Sequence, residues 1–150
     1  MRLSHLNLLL VCTGNTCRSP MAGAIAEDLL KEQPAATVET AGVYAGPGSP
    51  ASTEAVEIMA RRGLDLRAHR SRPLTQGAVD AADMIFAMTQ GHVDALIQAF
   101  PDAAEKTRRL DPDGDVSDPI GGSPADYEAA ADQIESALKR QLQQIEEVPA

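Results

Sequence analysis

Short strand-like runs alternate along this chain with stretches whose apolar residues recur at helical spacing. "LNLLLV" (Leu6–Val11) is apolar throughout apart from Asn7 and too short for a buried helix, so it predicts a strand covered on both faces. "SPMAGAIAEDLLKEQ" follows with helical periodicity, Ser19 as its expected N-cap and Pro20 as its first helical residue. "TVETAGV" reads as a second strand ending at Gly42, and "GPGSPAS" as a loop of small residues. In "STEAVEIMARRG" Ser52 or Thr53 caps a helix with Glu in its first turn, Arg in its last, and Gly63 closing it.

"ADMIFAM" is a third buried strand, "TQGHVDALIQAF" a helix running up to Pro101, and "KTRRL" a weak fourth strand. A polar, turn-rich loop, "DPDGDVSDPIGGSP", leads into the long terminal helix "PADYEAAADQIESALKRQLQQIEE". Strands alternating with crossover-length helices predict a single α/β domain over residues 1–150. Its expected form is a doubly wound, four-stranded parallel sheet with helices on both faces. Ligands in such sheets bind beyond the carboxyl ends of strands, and Cys12 stands directly after the first one.

Composition narrows the partners. Aromatic residues are limited to Tyr44, Phe86, Phe100 and Tyr127, so the core must be aliphatic. A formal charge of −9 argues against nonspecific nucleic-acid binding and against an anionic membrane surface. Acids crowd the chain from Pro101 onward, whereas Arg18, Arg61, Arg62, Arg67, Arg70 and Arg72 lie in the first half; an anionic ligand must be drawn by a local field. Two cysteines build no disulfide framework and suit a reducing cytoplasm, where we expect the protein. "MRLSHLNLLLVC" superficially resembles a lipoprotein leader. Its apolar core is too short, however, and bulky Val11 occupies the place of the small residue that precedes cleavage.

The chemistry concentrates in "VCTGNTCRSP". Cys12 and Cys17 alone supply too few ligands for structural zinc, and no metal site is expected. Backbone N–H groups turning through Thr13, Gly14, Asn15, Thr16, Cys17 and Arg18 can form an anion-binding nest at a helix N-terminus. That field favours the thiolate, the nucleophilic form of Cys12. Arg18 can grip two phosphate oxygens in a fixed fork, which lysine cannot. C-x5-R between a strand and a helix thus puts a sulfur nucleophile in line with phosphorus, and Ser19 can donate a hydrogen bond to the sulfur. Cys17 either packs as a small buried thiol or captures an oxidised Cys12 as a disulfide, which would make the site redox-sensitive.

These residues resemble the phosphate loop of the low-molecular-weight protein tyrosine phosphatase family. The similarity continues in order through "TAGV", "AHRSRPL", "ADMIFAM" and "SDPIGGS". The resemblance implies Cys12 as nucleophile, Arg18 as phosphate clamp and Asp118 as general acid, then general base, with no cofactor. Asn15, Ser19, Thr40 and His69 match a supporting network, and Tyr44 and Ile120 match pocket-wall positions. On the residues alone, Asp111, Asp113 and Asp115 compete with Asp118 for the acid's role.

Thr16 resembles the bacterial protein arginine phosphatase branch, where tyrosine-directed members usually carry Ile. Ile120 replaces an aromatic, Gly23 the usual Glu and Thr40 the usual Ser, which bears on substrate choice. The expected activity is hydrolysis of phosphorylated protein side chains through a phosphocysteine, phosphoarginine first and phosphotyrosine as the alternative. The partners expected are phosphoprotein substrates, for an enzyme expected to be monomeric. A thiol-dependent arsenate reductase lacks the further cysteines its relay needs. A phosphoprotein-binding module would keep Arg18 without needing Cys12 or Asp118.

Overall fold

β1 (Leu6–Cys12) lies inside a four-stranded sheet, ordered β2–β1–β3–β4, in the computed structural model, which describes residues 5–147. β2 (Ala36–Gly42), β3 (Met84–Ala87) and β4 (Thr107–Arg109) complete it, and every strand pair is parallel. The leucine-rich run has no polar face because both its faces are covered. Leu6, Leu8, Leu10 and Cys12 enter one hydrophobic cluster, and Leu9 and Val11 enter the other. Phe86 and Ile85 of β3 divide in the same way.

The first cluster is closed by α1 (Arg18–Leu29), α2 (Thr53–Arg61) and α5 (Pro124–Glu147), through Met21, Ile58 and Leu138 among others. The second is closed by α3 (Gln76–Ala81) and α4 (Gln90–Ala99), through Val79, Val93 and Leu96. The doubly wound α/β architecture is therefore as expected. β2 and β3 flank β1 on opposite sides, so the chain reverses its direction of travel at β1 and opens a crevice beyond Cys12.

Local readings change in four places. α1 begins at Arg18, so Ser19 is not its N-cap; Cys17 holds that position and makes no side-chain capping bond. Pro20 is accordingly the third helical residue, where its missing N–H still costs no intrahelical bond. The six-residue α3 buries only Val79, a signal too weak for periodicity to reveal. A 3₁₀ segment, Pro101–Lys106, fills the step from α4 to β4. Elsewhere Ser52 caps α2, and Gly63 takes the left-handed conformation after it. Arg62 binds Glu128, Asp132 and Glu135, tying α2 to α5. Among the described residues no helix is long and apolar enough to cross a membrane. Met1–Ser4, which begin the leader-like stretch, lie outside the described residues.

Candidate active site

The loop between β1 and α1 turns on Asn15, whose φ of 57° is the one left-handed non-glycine backbone among the described residues. Asparagine tolerates this region better than most residues, but it still stores strain that the surroundings must hold. Here the holding is complete on every polar side-chain group. Asn15 Nδ2 donates to Ser19 Oγ at 2.8 Å and to Thr40 Oγ1 at 3.0 Å, while Oδ1 accepts the Arg72 N–H at 2.9 Å. His69 Nε2 donates to the Asn15 carbonyl at 2.7 Å, which places it behind the loop as a support.

Ser19 gains a defined direction from this network. Its oxygen accepts from Asn15, so its own proton is available to Cys12 Sγ, 2.9 Å away. Cys12 is buried and reduced, on the α1 side of β1. A donor on the sulfur stabilises a negative thiolate, and the uncapped N-terminus of α1 acts in the same direction.

The close approach that needs a glycine lies on β2 rather than in the loop. A Cβ on Gly42 would meet the Thr13 carbonyl at 2.4 Å, where the Val43 and Tyr44 N–H groups bond the Cys12 and Thr13 carbonyls. Gly14 has ordinary room for a side chain. Gly23 is filled from outside: a Cβ there would come within 2.7 Å of the Thr40 methyl.

On the opposite side, Arg18 is buried, with Nη1 donating to the Val116 carbonyl at 2.9 Å and Nη2 to Thr13 Oγ1 at 3.5 Å. Asp118 Oδ2 stands 3.7 Å from Nη2, and its Oδ1 accepts the Ile120 N–H at 3.1 Å. The competing acids are engaged elsewhere. Asp111 binds Gln133 and the Asp113 N–H, Asp113 binds Arg140, and Asp115 binds Arg109 and the Gln90 N–H. Of the four, Asp118 is the one paired with Arg18.

Thr16 is half-buried, its carbonyl held by the Ser52 N–H at 2.9 Å. Cys17 Sγ lies 3.4 Å from Ser52 Oγ and 3.6 Å from Tyr127 Oη, and burial pushes the Tyr127 phenol up to about 12. Tyr44 is 79% exposed and Ile120 61%, so both side chains stand in solvent rather than forming a closed wall.

Sequence reasoning missed His92, at the start of α4. Its Nε2 is 2.6 Å from Thr13 Oγ1, and burial, with the Arg18 charge acting the same way, pushes the imidazole down to about 4. Its signal was position: it follows β3, which borders the crevice beyond β1. Ser52 and Tyr127 beneath Cys17 were likewise not legible as site residues. Among the described residues no group of three or more His, Cys, Asp or Glu side chains is placed to hold a metal ion.

The profile of the low molecular weight phosphotyrosine protein phosphatase family matches residues 7–149. A protein-arginine-phosphatase of Geobacillus stearothermophilus is 42% identical over 93% of this chain and 95% of its own. A probable low molecular weight protein-tyrosine-phosphatase EpsP of Ralstonia nicotianae is 35% identical over 87% and 90%. Among solved structures, the YwlE arginine phosphatase in a cysteine-to-serine mutant with a phosphorylated active-site serine superposes with a TM-score of 0.89. It is 34% identical and covers 95% of this chain and 97% of its own.

Proposed function

Because this chain belongs to the low-molecular-weight phosphotyrosine protein phosphatase family and is a cysteine-dependent protein phosphatase, we propose that its substrates are proteins phosphorylated on arginine. The observation that carries the chemistry is the meeting of Cys12, Ser19, Arg18 and Asp118 around one loop at the carboxyl end of β1. Cys12 Sγ attacks phosphorus and forms an S–P bond while the P–N bond to the guanidinium breaks. Asp118, in its acid form, gives the leaving nitrogen its proton. Water then attacks the phosphocysteine, Asp118 takes the water's proton, and Cys12 departs as a thiolate steadied by the Ser19 hydroxyl. Arg18 and the loop amides hold the equatorial oxygens through both displacements.

The preference for arginine rests on Thr16, together with the 42% identity to the Geobacillus protein-arginine-phosphatase. A hydroxyl beside the phosphorus suits a polar guanidinium better than a phenyl ring, and Asp118 can meet the planar guanidinium in bidentate fashion. Ile120 offers no aromatic face for a tyrosine ring to stack on. The tyrosine reading draws on the 35% identity to the Ralstonia tyrosine phosphatase. One experiment decides between them: kcat/KM on a phosphoarginine protein and on a phosphotyrosine peptide, for wild type and Thr16→Ile. Phosphoarginine should be preferred, and Thr16→Ile should narrow or invert the ratio. A ratio unmoved by the substitution would remove Thr16 as the determinant, and a wild-type preference for phosphotyrosine would overturn the proposal.

A further inference from the structure

His92 is more than nine-tenths buried, yet among the described residues no protein group lies within hydrogen-bond reach of its Nδ1. A buried polar atom without a partner costs stability, so a ring kept only for packing would be better replaced by a hydrocarbon. Its other nitrogen makes one contact, to Thr13 Oγ1 at 2.6 Å. The same oxygen accepts from Arg18 Nη2 at 3.5 Å. The backbone fixes the imidazole for this task, since the His92 N–H is itself held by Thr89 Oγ1 in the capping turn of α4.

We propose that His92 is a positioning residue for the phosphate clamp: through the Thr13 hydroxyl it fixes where the guanidinium of Arg18 points. The need for such a tether is visible in the contacts of Arg18. Val116 secures Nη1, but Nη2 is shared between Thr13 and the carboxylate of Asp118. If Thr13 were released, the guanidinium would be free to turn onto Asp118, and clamp and acid would each occupy the other. The Thr13 hydroxyl carries one proton and two lone pairs. With its proton given to Nε2, a lone pair is left for Arg18, and the chain Arg18–Thr13–His92 is continuous in one direction. Nε2 accepts only while the ring is uncharged, and the burial and Arg18 charge that push its titration down to about 4 keep it so at neutral pH. Asp115 and Asp118 act in the opposite direction and are outweighed.

The inference rests on Arg18 being the clamp, so the experiment includes a variant that tests that reading separately. The full chain is assayed for competitive inhibition by inorganic phosphate, for kcat and KM, and for thermal stability. The variants are His92→Leu, His92→Gln, Thr13→Val, the His92→Leu/Thr13→Val pair, and Arg18→Ala. His92→Leu should weaken phosphate inhibition about 10-fold, the scale of one hydrogen bond bearing on a charged group, while Tm holds or rises. Thr13→Val should match it, the pair should be no worse than either alone, and His92→Gln should recover part of the loss. Phosphate inhibition within twofold of wild type in His92→Leu, or full additivity in the pair, would overturn the relay. So would a loss of Tm that tracks the loss of inhibition. Should His92→Leu not fold, unchanged inhibition in Thr13→Val overturns it equally, and weakened inhibition in Thr13→Val with an intermediate His92→Gln supports it. Unchanged inhibition in Arg18→Ala would instead overturn the clamp reading itself.

Discussion

The two sides of the phosphate loop are built to different standards. On the β2 side, Asn15 is fully buried and spends every polar side-chain group on Ser19, Thr40 and Arg72, with His69 on its carbonyl. On the other side, Asp118 has its side chain about half exposed, at 49%, in a turn-rich segment whose hold on the loop is Arg18 on the Val116 carbonyl and on Asp118 itself. On the proposed mechanism, the first side keeps a strained backbone in one shape around an anion that is always the same, and the second admits leaving groups and water and passes a proton both ways. Preorganisation belongs where charge develops, and freedom belongs where the substrate changes.

This contrast can be broken experimentally, and the largest effect lies where the sides meet. Cys12→Ser should reduce turnover to background while leaving phosphate binding and Tm near wild type; measurable turnover in steady state would break the mechanism. Next come two substitutions that should separate the sides. Asp118→Asn should lower kcat by about 10²-fold with almost no change in denaturation midpoint. Asn15→Ala should destabilise the fold by about 1–3 kcal/mol, because the Arg72 N–H loses its acceptor and left-handed backbone must be kept by alanine. If urea denaturation finds Asp118→Asn as costly to the fold as Asn15→Ala, the contrast between the sides is wrong.

The smallest effect concerns His92, whose ring meets Thr13 Oγ1 from the start of α4. Its folded titration lies at about 4, below the ordinary histidine value of 6.5, so the unfolded chain takes up the proton first. Stability is then complete above about 6.5 and is lost progressively as the pH falls toward 4. Compared with wild type, Tm of His92→Leu should gain a few degrees on acidification from pH 7 to pH 4.5, and calorimetry across that range checks it. Parallel curves would show that His92 is not held neutral.

What the chain discloses follows the reach of the interactions. β1 and the loop are legible because strand, cysteine, arginine and helix start are contiguous, and the parallel sheet follows from alternation along the whole chain. Ser19 misleads for a physical reason: a serine before Pro20 has the form of a helix cap, but its hydroxyl serves Asn15 and Cys12 instead. Asp118 cannot be told from Asp111, Asp113 and Asp115 by position, since only the fold brings one of them to Arg18, a hundred residues away. His92 is hidden by the same distance, because its partner lies on another strand–helix unit. Tyr44 shows a milder form: its backbone N–H holds the Thr13 carbonyl, a role that no side-chain pattern reports.

The contact between Gly23 and Thr40 has a consequence for how this chain can change. Thr40 is a stiff β-branched residue whose hydroxyl is already committed to Asn15, so its methyl cannot swing away to admit a Cβ at position 23. Giving position 23 a side chain first meets that methyl, whereas Thr40→Ser first keeps the hydroxyl for Asn15 and vacates the space. The two positions are therefore coupled: a side chain at position 23 is admitted at lower cost after Thr40→Ser than before it, so the order in which the pair is exchanged matters.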